Sequence, residues 1–496
     1  MHAGVNVVIA DKINRIRRLA RAGETERAWT LFGQIGLKDS DQQPELLSLK
    51  GRLIKDRALK SVGEDRIALL EQARDAYLDA AALRRATYPL INAATIALLM
   101  GRKEQAKQLA RDTLDMLDSG DHEAETPYWL QATRAEAALL VGQSDAARLA
   151  MSSAMKSAPQ AWEDHASTLR HLRLVLQSLG QSATWLDSHR PPPTLHFSGL
   201  IAIADERTLA EEIGPILDEI SPVGAYGALA AGADIVIAEL LVQRDVALHV
   251  ILPAQVATFK RTSVSCFGAR WESRFEVLLD GADSVEIVRG PDSVSRASVM
   301  IADQVAMGLA VENAALLESY PIALRVTDGS TRQRLNGDSG AHDIIVHDVP
   351  AVRSADPIPA IPEFERRALV VLGGEWDIAA LISAGAHVDE RADHRTLLWF
   401  ERPVTAVQAL LADASPGDSP RVAAIDYRAV DPLQCGDCYE VARILAPLGN
   451  ARNLVVSQVV AMALKLEAPD ICPEKMGHVA TPLGDLTFHA IAVPAK

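Results

Sequence analysis

Cysteine is scarce in this chain, with four in 496 residues. That count excludes a disulfide-stapled secreted scaffold and points to a reducing, cytoplasmic setting. No apolar run reaches membrane-spanning length, so no transmembrane span is expected. A secretory signal is not expected either. In MHAGVNVVIADKINRIRRLARAG the apolar patch precedes the basic one, the reverse of a signal peptide. Basic residues are outnumbered, 50 Lys and Arg against 65 Asp and Glu, for a net charge of −15. That balance argues against a general nucleic-acid or anionic-membrane binder, although it leaves room for a local basic pocket. Standard motifs are missing too. There is no G-x-x-x-x-G-K-[ST], no G-x-G-x-x-G directly between a strand and a helix, no H-E-x-x-H, and no nucleophile elbow around Ser198 or Ser263.

What is present is length and apolar content. With 48% hydrophobic residues, the chain can build two or three domains, each with a sizeable core. From about Val5 to Leu179 it reads as helices joined by short turns at Gly23, Gly101 and Gly142. Two units resemble one another, TYPLINAATIALLMGRKEQAKQLARDTLDML from Thr87 and YWLQATRAEAALLVGQSDAARLAMSSAMKSAP from Tyr128. GETERAWTLFGQIG at Gly23 is a shorter echo. This pattern resembles the tetratricopeptide (TPR) helix-pair repeat. The resemblance implies stacked helix pairs that form a scaffold or a groove for a protein partner, and the alternative is a plain helical bundle. Arg15, Arg17, Arg18 and Arg21 form a basic cluster on the first helix, read as a solvated face with partner docking second. Trp129, Trp162 and Trp185 read as packing anchors. SHRPPPT, Ser188 to Thr194, cannot continue a helix and marks a linker.

Beyond the linker, strands alternate with helices. Leu195 to Ala202 is a short apolar strand, and Glu206 to Ile220 is an amphipathic helix. A Gly-rich turn around Gly224 and Gly227 leads into a second helix from about Ala228 to Val242. Ala247 to Leu252 is a strand stopped by Pro253, and a basic loop with Lys260, Arg261 and Ser263 follows. The alternation implies a parallel sheet, whose ligands sit beyond the carboxyl ends of the strands. Glycines entering a helix suit an anion cradle, or else only tight turns and helix–sheet packing. Next come a helical segment with Trp271, Phe275 and Leu278, a strand Ser284 to Val288, a long helix Ser295 to Tyr320, and a strand PIALRVTDG.

The series GALAAGADIVIAE, LHVILP, F-x-x-x-SV, W-x-x-RF and AMGLA resembles a bacterial SLOG-type Rossmann-like domain. Its core also looks like the corresponding segment of the Lonely Guy phosphoribohydrolases and the DNA-processing DprA proteins. The resemblance implies binding of a nucleotide or nucleotide-derived messenger, with Gly199, Gly227, Gly232, Asp234, Glu239, Ser263 and Arg274 at the matching positions. The P-G-G-x-G-T-x-x-E motif of the Lonely Guy enzymes is absent, so the resemblance supports binding rather than hydrolysis. On physical grounds Ser198 and Gly199 could join the site only if the first strand ends early. Lys260, Arg261 and Arg274 offer charge-assisted contacts to phosphate. Glu239 suits a ribose hydroxyl or an ion pair with Arg244. Asp234 suits the helix N-terminus and would repel a phosphate.

HDVPAVRSADPIPAIPEFERR, from His347 to Arg367, reads as a second linker. The strands ALVVLGG, TLLWFE, RVAAIDY, LVVSQ and LTFHAIAV follow, between short helices. Their order resembles a class III adenylate/guanylate cyclase domain over most of Arg367 to the end. Such cyclases hold two metals with two aspartates, but here Gly373 and Gly374 stand at the first position and Asp393 lies only near the second. Arg443 matches the cyclase arginine, while Tyr439 takes the place of its asparagine. Without a carboxylate pair there is no clamp for two metals, and the domain reads as a pseudocyclase. Cys435 and Cys438 form a lone C-x-x-C with only Cys472, His478 and His489 nearby. Two thiols in a loop is the preferred reading over zinc. His249 reads as a satisfied core residue.

The expectation is therefore multidomain. It comprises N-terminal all-α TPR-like repeats (1–187), a Pro-rich linker (188–194), a central α/β Rossmann-like SLOG-type domain (195–346), a second linker (347–366) and a C-terminal α+β cyclase-like domain (367–496). The leading functional reading is a cytoplasmic signalling or sensor protein. Its expected partners are a nucleotide-derived small molecule, a protein at the TPR-like region and a second copy of itself. No resident cofactor or metal is assigned, and neither nucleic acid nor membrane is a partner. The alternatives are a nucleotide-processing hydrolase and a purely structural oligomeric scaffold.

Overall fold

The computed structural model describes residues 2–34, 43–329, 344–355, 357–392, 395–413, 421–433, 438–482 and 484–493. It divides into two compact units, Met1–Pro191 with Leu316–Glu318, and Pro192–Ala315 with Ser319–Lys496.

The first unit is helical. Its helices are α1 (His2–Arg21), α2 (Thr25–Gln34), α3 (Pro44–Lys60), α4 (Gly63–Leu83), α5 (Thr87–Leu99), α6 (Lys103–Ser119), α7 (Pro127–Leu140), α8 (Ser144–Ser157) and α9 (Trp162–Ser178). One turn recurs. Gly23, Gly101, Gly142 and Gly180 all have positive φ, between 69° and 84°, a conformation that glycine adopts without a Cβ clash. Each turn is closed in the same way. Gly101 N–H donates to Leu98 O and Arg102 N–H to Ala97 O, and Gly142 and Gln143 repeat the pattern onto Leu139 and Ala138. These are Schellman-type helix ends. At the same place after three of the glycines stand Ala28, Ala106 and Ala147, each buried where paired helices meet. After Gly180 that place is taken by Trp185, and only a 3-10 turn, Thr184–His189, follows. The last pair is thus truncated just before Pro191.

The second unit holds two sheets. The first contains β1 (Thr194–Ser198), β2 (Gly224–Gly227), β3 (Ala247–Leu252), β4 (Ser284–Ile287), β5 (Pro321–Thr327) and β6 (Ile345–Pro350). Its order is β4-β3-β2-β1-β5-β6, and every neighbouring pair is parallel. Its helices are α10 (Glu206–Ile220), α11 (Ala233–Val242), α12 (Val256–Ser263), α13 (Ala269–Asp280) and α14 (Arg296–Leu316). Strand alternation sends Leu195, Phe197, Leu248, Val250, Leu252, Ile322 and Leu324 into a core with α10, α11 and α13. The opposite face, with Tyr226 and Ile251, meets α14.

Three expectations change here. The Gly-rich stretch Gly224–Gly227 is a buried strand paired on both sides, not a turn, and the helix after it starts at Ala233. The basic loop is the short helix α12. The start of the second linker is β6, which pairs with β5 from Ile322↔Ile345 to Thr327↔Pro350. Periodicity fails for the two strands because each is short and pairs with a strand distant in sequence, and for α12 because eight residues give only about two turns.

The second sheet contains β7 (Glu365–Gly373), β8 (His387–Ala392), β9 (Arg395–Phe400), β10 (Val422–Val430), β11 (Asn453–Ser457), β12 (Glu474–Thr481) and β13 (Gly484–Ala492), with helices α15 (Ile378–Ser383), α16 (Pro403–Asp413), α17 (Glu440–Leu445) and α18 (Gln458–Glu467). Its order is β12-β13-β11-β10-β7-β9-β8. Strands β7 to β10 with α15 and α16 form a β-α-β-β-α-β unit, its fourth, first, third and second strands side by side and antiparallel. One face packs on α16 and α18, and the other on α17.

Helix α14 joins the two sheets. Ile301, Val305 and Ala310 share one core with Val370, Leu398, Val407, Val460 and Met462. Gln304 Nε2 donates to Glu467 at 2.8 Å, Gln458 Nε2 donates to Glu286 at 3.0 Å, and Lys465 pairs with Glu312 at 3.3 Å. Among the described residues α14 is the one helix long and apolar enough to cross a membrane by length and composition, which the reading of short apolar runs missed. Its apolar character is that of a helix enclosed between two layers.

Candidate functional site

The inner helices of the first unit, α1, α3, α5, α7 and α9, surround a cavity of about 410 Å³. Helical spacing puts Glu45, Ser48, Leu49, Arg52 and Lys55 of α3 on its wall. Tyr88, Ile91 and Asn92 come from α5, Trp129, Thr133 and Glu136 from α7, and Thr168 and His171 from α9. The helices close on themselves. Arg21 of α1 reaches Glu163 at 3.5 Å and Asp164 at 3.6 Å, both on the first turn of α9.

A buried polar chain crosses the floor. Lys55, only 2% exposed, donates from Nζ to Asn92 Oδ1 at 2.8 Å and to His171 Nε2 at 3.1 Å. Accepting through Nε2 leaves the His171 proton on Nδ1, which faces Glu136 Oε2 at 3.8 Å. Glu136 also accepts from Thr95 Oγ1. Burial opposes ionisation of Glu136, yet His171, Thr95 and Lys55 hold its carboxyl below the ordinary range. The charge of Lys55, together with burial, pushes the His171 imidazole down and keeps it neutral. A buried cation on two neutral acceptors, with a carboxylate one residue away, is a costly arrangement to leave without a role.

This site was missed by sequence reading, although a signal existed. Asn92, Thr133 and His171 stand the same number of residues before Gly101, Gly142 and Gly180, and Thr95 and Glu136 share the next inner position. Aligning the units on their glycines brings these polar residues into register on one face. Arg17 and Arg21 of the basic cluster line the cavity, as does Trp129, which had read as a packing anchor. Trp162 packs edge-on against His165, and Trp185 lies under Arg148.

The residues expected from the α/β region fall into two groups. Ser198, Gly199, Gly227, Gly232, Asp234 and Ser263 gather near the carboxyl ends of β1 and β2. The glycines there face protein. A Cβ on Gly199 would lie 2.5 Å from Ala233 Cβ, one on Gly227 2.5 Å from Phe197 O, and one on Gly232 2.5 Å from Leu200 O. Buried Ser263 accepts Ala231 N–H through its carbonyl. Asp234 is buried and accepts from Ala230 N–H at 3.2 Å, while its Oδ1 has no partner. Burial, with the nearby Asp303 charge adding to it, pushes this carboxyl up to about 8 against the pull of two backbone N–H groups. His196, fully buried on β1, sits 3.0 Å from Asp303. Just beyond β1, residues 351–354 form a strap. Ala204 N–H donates to Val352 O and Ser354 N–H to Ala202 O.

The second group lies apart, on α11, α12 and α13. Arg274 grips Glu239 with two bonds of 2.7 Å, donates to Glu206 at 2.6 Å and lies 4.3 Å over Trp271. Lys260 pairs with Glu272 and Glu276, each at 2.6 Å. Arg261 donates to Thr258 Oγ1 at 3.3 Å. These cations are matched by protein carboxylates or hydroxyls. Glu239 pairs with Arg274 rather than Arg244, which bonds Asp218 at 2.7 Å.

In the last sheet, Gly373 ends β7, and buried Tyr439 donates to Asp389 Oδ2 at 2.8 Å. Asp393 and Cys435 lie outside the described residues, so neither the second cyclase aspartate position nor the C-x-x-C is placed. His249 bonds Ser284 Oγ at 2.8 Å and stacks on Tyr226. Among the described residues no three His, Cys, Asp or Glu side chains converge as metal ligands.

Residues 12–99, from α1 through α5, match a family model described as Tetratricopeptide Repeats-Sensor. This N-terminal region is built of tetratricopeptide repeats. The matched stretch ends before Gly101, and the same turn at Gly101, Gly142 and Gly180 carries the repeat geometry on to α9. The family description suggests a sensor or partner-binding role, and the helical repeats fit a protein partner. No curated protein matches the chain.

Proposed function

We propose that this TPR protein is a sensor whose input site is the cavity lined by α1, α3, α5, α7 and α9. The observation that carries this reading is the buried Lys55–His171–Glu136 chain, which lines a cavity of ligand size. The α/β unit then serves as the output element. Its two sheets share one core through α14, so it responds as a single body, consistent with a relay rather than two independent enzymes. The β-α-β-β-α-β unit, with Gly373 and Gly374 where a cyclase would hold a metal, supports the pseudocyclase assignment and a role in self-association.

The test is recovery of bound molecules. Full-length protein and a cavity-filling variant, Ser48→Trp, are purified from the same native-like host. Co-purifying proteins and released small molecules are identified by mass spectrometry. A species retained by the parent and lost from Ser48→Trp supports the reading, and identical recovery from both overturns it.

A second reading places a nucleotide-derived ligand in the α/β unit. It is favoured by the reversal of strand order at β1, between β2 and β5, where ligands of parallel sheets bind. Ser198 and the unpartnered Asp234 Oδ1 lie at that end. On this reading the strap at 351–354, which pairs with residues 201–204 just beyond β1, borders the site.

A further inference from the structure

We infer that the TPR cavity is a nucleoside-phosphate site. This rests on the reading of the cavity as the input site and names its ligand class.

The charges on the wall are unequally committed. Arg84 is taken up by Glu45 and Glu123, and Arg21 by Glu163 and Asp164. Arg17 forms no ion pair among the described residues, and Arg52 has only Asp56, at 3.7 Å. Lys55 contacts two neutral acceptors. Three cations from α1 and α3 therefore line one side with spare capacity. Guanidinium groups bind phosphate oxygens in pairs, and an ammonium adds a point charge.

Tyr88 on α5, beside Arg52, and Trp129 on α7 also line the cavity. Their rings offer flat apolar faces that suit a heteroaromatic ring. Glu125 and Glu136 also line the cavity, and each carboxylate, with one oxygen bonded by a threonine hydroxyl, keeps acceptor capacity for hydroxyl and ring N–H groups. Anion-binding cations, an aromatic wall and carboxylate acceptors match the three parts of a nucleoside phosphate.

Geometry disfavours a peptide. The Lys55–His171 bond ties α3 to α9 beneath the cavity, and Arg21 joins α1 to α9 at its rim. An extended six-residue segment spans about 20 Å, whereas about 410 Å³ suits a compact small molecule.

The experiment is isothermal titration of the full-length protein with AMP, ADP, GMP and UMP, and with adenosine and inorganic phosphate as fragments. Saturable binding of at least one nucleotide is expected, with each fragment at least about tenfold weaker. Arg17→Ala, an exposed change that leaves the core intact, and Trp129→Leu should each weaken nucleotide binding by about tenfold or more. Circular dichroism and the melting temperature confirm that each variant is folded. Absence of saturable binding by all four nucleotides overturns the inference, as does binding unchanged in both variants. Nucleotide binding lost instead in Asp234→Asn would place the ligand in the α/β unit and also overturn it. If a protein is captured by the parent and lost from Ser48→Trp while all nucleotides fail, this inference falls and the input-site reading stands.

Discussion

His171 Nε2 on α9 accepts a hydrogen bond from Lys55 Nζ on α3 across 3.1 Å, while its other nitrogen faces Glu136 on α7. One neutral imidazole thus sits between a buried ammonium and a buried carboxylate, and it ties three inner helices at the cavity floor. Removing one charge leaves the other without its counterpart in a poorly solvated place. Lys55→Met should cost about 2–4 kcal/mol of stability, measured by urea unfolding. Adding Glu136→Gln should recover part of that loss. If the double variant is as unstable as the sum of the single changes, the two charges are not coupled through His171.

Asp234 gives the α/β unit a pH dependence of known sign. Its native carboxyl keeps its proton up to about 8, against an ordinary value of 3.8, because it is buried near Asp303. Between those values the folded chain holds a proton that the unfolded chain has released. This contribution therefore falls as pH rises through that window, and it levels off above about 8. Asp234→Asn removes the titration. The variant should gain on the parent by at least ~1 kcal/mol between pH 5 and pH 8. Melting temperatures across that range check the prediction, and a constant difference would show that Asp234 ionises normally.

Much of this architecture was legible in the sequence, for physical reasons. Helix α10 and strand β3 lie where their periodicity placed them, because each buries one face in a continuous core. The TPR turns were readable at Gly23, Gly101 and Gly142, since positive φ needs glycine there. The fourth, at Gly180, was hidden by the loss of its second helix. Strand β2 was misread because Gly224 and Gly227 look like punctuation, whereas Gly227 is small so that Phe197 can approach. The cavity was not legible residue by residue. Lys55, Asn92, Glu136 and His171 meet only once the helix pairs stack.

The ion pairs of Arg274 alter what its substitution should do. Sequence reading offered Lys260, Arg261 and Arg274 as charge-assisted contacts to phosphate. In the structure Arg274 ties α13 to Glu239 of α11 and Glu206 of α10, partly buried against Trp271. Arg274→Ala should therefore destabilise the α/β unit by about 1–3 kcal/mol. Lys260→Ala, which removes ion pairs only to the more exposed Glu272 and Glu276, should change stability by less than ~1 kcal/mol. Chemical denaturation of the two single variants separates them, and equal effects would contradict the assigned difference.

Gly308 carries the same kind of argument to the joint between the two sheets. It lies on α14 where a Cβ would come within 2.6 Å of Met462 Cβ on α18, and 3.0 Å from the Met462 backbone. The two helices approach this closely only because residue 308 has no side chain. Gly308→Ala should force α14 and α18 apart and cost about 1–3 kcal/mol, as overpacking does. Trimming Met462 to Ala cannot relieve the backbone contact, so the double variant should stay destabilised, with the added loss of a buried Met side chain. Because both sheets share this core, unfolding of the α/β unit followed by fluorescence and by far-ultraviolet dichroism should give one coincident transition. Two separated transitions, with only the later strands affected by Gly308→Ala, would mean that the sheets are independent bodies and that α14 does not couple them.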